Sequence, residues 1–174
     1  MTVLRLLVVD DHPVVRDGIV GMVSSDPAIA VVGEASDGAE AVRLARVLEP
    51  DVVLMDLRMP RMGGVAAIRE LQRLGVPARV LVLTTFDADA DVLPAIEAGA
   101  TGYLLKDAPS AELIRAIRAA AAGEVVLAPS VASRLVGRVR ASETSLLSPR
   151  ELEVLALVAD GATNRVAGGR LHLS

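Results

Sequence analysis

Five short apolar runs recur along the chain: "VLRLLVV" (3–9), "IAVVGEA" (29–35), "VVLM" (52–55), "RVLVLT" (79–84) and "TGYLL" (101–105). Between them the apolar residues change period. In 14–23, Val14, Val15, Ile19, Met22 and Val23 share one helical face. In 109–122, Leu113, Ile114 and Ile117 recur at three and four residues behind Pro109, a residue suited to a helix start. Buried strands that alternate with helical segments can cover both of their faces in only one common way. The chain is therefore predicted to be α/β, a doubly wound, five-stranded parallel sheet with helices on both sides. Five such units fill residues 1 to 122, and Gly123 is placed to stop the last helix.

The core of such a fold must here be aliphatic, because there is one Tyr, one Phe and no Trp. Disulfides and thiolate chemistry are excluded by the absence of Cys. His12 and His172 are too few for a histidine-based metal site. No apolar run reaches the roughly 18–20 residues of a membrane span, and "MTVLRLLVVDD" lacks the layout of a signal peptide, so a cytoplasmic protein without membrane contact is expected. Residues 1–123 carry 12 basic and 17 acidic side chains, and residues 124–174 carry 6 and 5. Neither part has the basic surplus of a chain that binds nucleic acid through its bulk.

In an open parallel sheet, functional groups collect at the carboxyl ends of the strands. Asp10 and Asp11 follow the first run, Asp56 ends the third, Thr84 ends the fourth and Lys106 follows the fifth. Two carboxylates about 4 Å apart repel by roughly 4 kcal/mol at an effective dielectric near 20. Without a cation one of the three would tend to hold a proton; Mg²⁺ removes the conflict and suits oxygen ligands plus a phosphate. Asp56 is then the candidate attacking carboxylate, Thr84 a donor to a phosphoryl oxygen and Lys106 a neutralising charge. Lys106 is the single Lys beside 17 Arg, as expected if that position needs a compact ammonium. Any one of the three acids alone is more economically read as a turn residue; together, beside Thr84 and Lys106, they favour function. His12 reads as a helix start, Gly63 and Gly64 as turn formers, and Thr85 as pointing away from Thr84. Tyr103 fits a half-buried packing role as well as a switching one.

"VVDDHP", "LMDLRMPRMGG", "VLVLTTFD" and "GYLLKDAP", in that order, closely resemble the receiver domain of two-component response regulators. "TTFD" and "AGATGYLLKDAP" are most similar to the subfamily with a LuxR-type helix-turn-helix output. The resemblance covers residues 3–123 and implies a flavodoxin-like fold. It implies that Asp56 accepts a phosphoryl group from the phosphohistidine of a sensor histidine kinase. It further implies Mg²⁺ held by Asp11, Asp56 and the backbone carbonyl of Arg58, with Asp10 acting through water. Thr84 and Lys106 would read the phosphoryl group and Tyr103 would repack as Thr84 moves, so that the protein is a phosphoacceptor with at most slow self-dephosphorylation. In many receivers a Pro joined by a cis peptide follows the Lys; here Asp107 follows and Pro comes at 109.

Three segments are thus expected: a receiver over 1–123, a linker helix and joint over 124–145, and a partial LuxR-type DNA-binding segment over 146–174. Val131, Leu135 and Val139 form the linker face. "LLSPRELEVLALVADGATNR" resembles the start of the output domain: Ser148 as N-cap, Pro149 first in the helix, Glu151 as the box partner, Leu152, Leu155 and Val158 as the buried stripe and Gly161 as the stop. The family next has a helix with Glu and Ile, where this chain has "VAGG", and two helical glycines cost about 1 kcal/mol each relative to Ala. Ser174 falls where the recognition helix should begin, so either the DNA-reading part is missing or the end at Ser174 marks a fragment. DNA binding by the chain is accordingly expected to be impaired. If the truncation is natural, a phosphorylation-gated partner-binding protein is expected, as a homodimer or paired with an intact regulator. A Mg²⁺-dependent aspartyl phosphohydrolase is a distant alternative, since Arg58, not a second carboxylate, stands two residues after Asp56.

Overall fold

The computed structural model describes residues 2–85, 89–141 and 149–159. Strands and helices alternate from the start: β1 (Leu4–Val9), α1 (Pro13–Val23), β2 (Ile29–Ala35), α2 (Gly38–Leu48), β3 (Val52–Asp56), α3 (Gly64–Arg73), β4 (Arg79–Thr84), α4 (Asp89–Glu97), β5 (Gly102–Leu105) and α5 (Ser110–Ala121). A short β6 (Val126–Leu127) and two helices, α6 (Pro129–Ala141) and α7 (Pro149–Ala159), follow. All strand pairs are parallel, in the order β2-β1-β3-β4-β5-β6. The expected doubly wound sheet is present, and its winding reverses between β1 and β3, so the loops after these two strands diverge and leave a crevice.

Every residue of β3 is buried, as are Leu6 to Val9 of β1 and Val80 to Thr84 of β4, because helices cover both faces of the central strands. The core is aliphatic as composition requires, with Leu54, Met55, Ile68, Leu81, Leu104 and Ile117 almost wholly enclosed. Tyr103 corrects one expectation: it is fully buried, not half-buried. Gly123 takes φ of 81°, and the amides of Gly123 and Glu124 bond back to Ala120 and Ala119, ending α5 as expected.

The sheet has six strands where periodicity gave five. Two residues are too few to show a period of two, so β6 carries no strand signal in sequence and lies within the segment expected to be linker. Its place is made by Gly102: a Cβ there would stand 2.6 Å from the Val126 carbonyl oxygen, and only a glycine lets that backbone close on β5. Further on, Val131 and Leu135 are buried along α6, and Leu155 and Val158 are buried on α7, which packs against α6. The side chains of Val139 and Leu152, together with Ser148, Gly161 and the rest of 160–174, lie outside the described residues. No described helix is long and apolar enough to cross a membrane.

Candidate functional site

The crevice at the carboxyl edge gathers the candidate residues. Asp10 follows β1 and is 1% exposed; Asp56 ends β3 and is 6% exposed; Thr84 ends β4 and is buried. Ligand atoms of Asp10, Asp11, His12 and Asp56 all lie within 4.8 Å of one another. Lys106, one residue past β5, is anchored by its backbone amide, which donates to the Thr84 carbonyl at 2.8 Å. From there the side chain reaches back across the strand ends, and Nζ donates to Asp10 Oδ2 at 2.5 Å and stands 3.1 Å from Asp56 Oδ2.

That placement explains how the carboxylates coexist. Clustered carboxylates require a cation, and the Lys106 ammonium supplies a positive charge to two of them, Asp10 and Asp56. Burial pushes the Asp56 carboxyl above the ordinary carboxylate range; Lys106 pulls it back in part, and the nearby Asp10 charge raises it again. Burial alone would lower the Lys106 ammonium, but its hydrogen bond to Asp10 and the charges of Asp56 and Asp10 outweigh that, and it ends above its usual value. The Asp10–Lys106 bond joins residues 96 apart in the chain.

The remaining donors are placed as follows. The His12 amide donates to Asp10 Oδ1 at 2.8 Å, and His12 is the N-cap residue of α1, as read from the sequence. Its ring is largely exposed, yet Nδ1 stands 2.9 Å from Asp11 Oδ1, so it borders the cluster more closely than sequence suggested. Asp11 Oδ1 is nevertheless buried and accepts no hydrogen bond among the described residues. A buried, unsatisfied carboxylate oxygen beside two further carboxylates is a donor set fit for a hard divalent cation. The Thr84 hydroxyl donates to the Thr85 carbonyl at 3.2 Å, and Thr85 is exposed. No cis peptide occurs among the described residues, so the Lys106–Asp107 bond is trans.

Two supports were missed from sequence. Arg16 on α1 donates from Nη1 to the Asp10 carbonyl at 2.7 Å and so braces the acidic loop. Gly64, read as a turn former, is the first residue of α3 and lies against the site: a Cβ would sit 2.3 Å from the Asp56 carbonyl oxygen and 2.8 Å from Leu57 Cα. Both obstacles are backbone, so Gly64→Ala must displace the strand end that carries Asp56. A loss of about 1–3 kcal/mol is expected in urea unfolding. Gly21→Ala, where a Cβ meets nothing within 4 Å, serves as control and is expected to be neutral or stabilising. Equal behaviour of the two variants would contradict the close approach.

Comparison with known proteins adds that the response regulator receiver domain family matches residues 6–118. The chain belongs to the response regulators. Its relatives are of the NarL/LiaR, LuxR-output type. It is 46% identical over 176 residues to the transcriptional regulatory protein LiaR of Bacillus subtilis (strain 168), covering 98% of this chain and 83% of LiaR. It is 38% identical over 175 residues to the nitrate/nitrite response regulator NarL of Escherichia coli (strain K12), covering 97% and 81%. Among solved structures, the response regulator ChrA of a heme-sensing two-component system superposes with a TM-score of 0.70 at 42% identity, covering 100% of this chain and 84% of ChrA. RcsB, solved as two dimers bound to two parallel DNAs, superposes with a TM-score of 0.71 at 27% identity, covering 99% and 85%. In this response regulator the acidic crevice therefore occupies the receiver part of the chain.

Proposed function

We propose that this response regulator accepts a phosphoryl group on Asp56 from the phosphohistidine of a sensor histidine kinase, and that the modification governs a transcriptional output. The observation that carries the reading is the buried Asp56 carboxylate, 3.1 Å from the Lys106 ammonium and within 4.8 Å of the Asp10 and Asp11 carboxylates. A carboxylate oxygen of Asp56 attacks phosphorus; the P–O bond forms as the P–N bond to the kinase imidazole breaks, and the electron pair of that bond stays on the imidazole nitrogen. Asp11, Asp56 and the Arg58 carbonyl would hold Mg²⁺, with Asp10 acting through water. Bound there, the ion supplies charge neutralisation for the phosphoryl oxygens. Lys106 neutralises a further oxygen, and rotation of Thr84 away from the Thr85 carbonyl frees its hydroxyl to donate to another. Tyr103, fully buried two residues from the end of β5, would repack as Thr84 turns.

In this reading residues 1–123 are the phosphoacceptor unit, 124–145 the connector and 146–174 the start of the LuxR-type output, by which the relatives' role in transcription would be exercised. Intact-mass measurement of the full chain, incubated with a small phosphoramidate and Mg²⁺, tests it. One added phosphoryl group is expected, and none when the metal is chelated before the donor is added. An unchanged mass at saturating donor and metal would overturn the proposal.

A further inference from the structure

Arg61 lies in the loop 57–63, between Asp56 and α3, and has φ of 63°, the left-handed region that a residue with a Cβ rarely adopts. Something must hold it there, and the contacts show what. Its Nε donates to Asp37 Oδ2 at 2.6 Å, and its Nη2 donates to the same oxygen. Asp37 is buried, and its other oxygen accepts from the Glu40 amide at 2.9 Å, capping α2. One carboxylate thus ties a helix start to the loop. A second tie lies beside it, where the Gly38 amide donates to the Met62 carbonyl at 2.9 Å. Gly38 permits this approach, since a Cβ would meet the Met62 oxygen at 2.7 Å. The α2 N-terminus and the loop leaving Asp56 are thereby joined across 24 residues of chain.

We infer that the Asp37–Arg61 pair is a latch that positions the acidic site: it holds the backbone from Asp56 to Gly64, Arg58 carbonyl included, in the form that receives a divalent cation. Arg61 touches neither phosphorus nor metal, so it is a positioning residue. Its ion pair is with a buried carboxylate, and both N–H groups reach one oxygen, which a Lys ammonium would reproduce only in part. The inference rests on the proposed reading of the site as a metal-assisted phosphoacceptor, but it concerns the loop and can fail separately.

The test uses the full chain and two readouts: Mg²⁺ affinity by titration calorimetry, and the Mg²⁺ dependence of phosphoryl incorporation from a phosphoramidate. Arg61→Gly removes the latch while relieving the left-handed strain, and Asp37→Asn removes it without adding backbone freedom to the loop, so a loss shared by both belongs to the pair. Outer-shell supports typically change metal affinity 10- to 100-fold. The low end, about tenfold weaker Mg²⁺ binding, is expected here because Arg61 acts through the loop. The half-saturating Mg²⁺ concentration should rise by the same factor, with little change in the rate at saturating metal. Arg61→Lys should recover part of the affinity. Asp37→Asn should weaken Mg²⁺ binding to a similar degree, and combining it with Arg61→Gly should add little. Unchanged Mg²⁺ affinity in Arg61→Gly would overturn the latch, as would a fall in thermal stability and saturated rate alone, which marks a merely structural pair. If the wild type binds Mg²⁺ and the variant binds it about tenfold more weakly, yet neither takes up a phosphoryl group, the latch stands and the phosphoacceptor reading falls. A wild type that binds no Mg²⁺ overturns both.

Discussion

Asp56→Asn is expected to take up no phosphoryl group under conditions in which the wild type gains one, and also to be the more stable protein in metal-free buffer. The amide has no nucleophilic carboxylate oxygen, so the first effect is a complete loss by intact mass. The second follows from burial. The Asp56 carboxyl is raised above its ordinary value of 3.8, chiefly by desolvation, so the folded state binds its proton more tightly than the unfolded chain does. The resulting penalty on the wild type builds up as pH rises from 3.8 through the raised folded-state value and is complete above it. At neutral pH with a chelator present, the variant should therefore unfold at a higher temperature than the wild type. Added Mg²⁺ should narrow or reverse the difference, because binding to the folded state stabilises the wild type by mass action. A wild type that remains the more stable at neutral pH without metal would contradict the strained carboxylate.

Lys106→Ala carries the largest expected effect on folding. It removes the one ammonium that stands 2.5 Å from Asp10 and 3.1 Å from Asp56, and leaves both carboxylates buried without it. Breaking a buried pair from one side costs about 3–5 kcal/mol. The Lys106 side chain is 16% exposed, so water can enter, and about 3 kcal/mol is expected, roughly 6–12 °C in thermal midpoint. The Lys106 contribution is complete at neutral pH, because its folded-state pKa is raised, and it is lost only as pH climbs through that value. Mg²⁺ should restore part of the loss by substituting one cation for another. Lys106→Arg should not, since a planar fork cannot take the place of a point charge shared by two carboxylates in a closed crevice. Unfolding of Lys106→Ala in chelator at the wild-type midpoint would sink this account of the site.

Much of the site was legible before folding because of where strands end. Asp10, Asp11, Asp56, Thr84 and Lys106 each lie at or just past the carboxyl end of an apolar run, and a parallel sheet brings such ends to one edge whatever the helices between them do. The supports were not legible. Arg16, Arg61 and Asp37 carry no periodic signal, and a charged residue in a helix or loop is read by default as a solvated one. Gly64 was visible as a glycine but not as a neighbour of the Asp56 carbonyl.

The division has a physical reason. Strand and helix periods, the stop at Gly123 and the chemistry available at each strand end depend on residues close in sequence, so the chain alone determined the doubly wound sheet and the identity of its acidic edge. Strand order, by contrast, decides which distant residues meet. Lys106 reaches Asp10, Arg61 reaches Asp37 and β6 closes on Gly102 only once the sheet has assembled as β2-β1-β3-β4-β5-β6. The same assembly encloses Tyr103 completely, through neighbours on both faces that no local pattern announces.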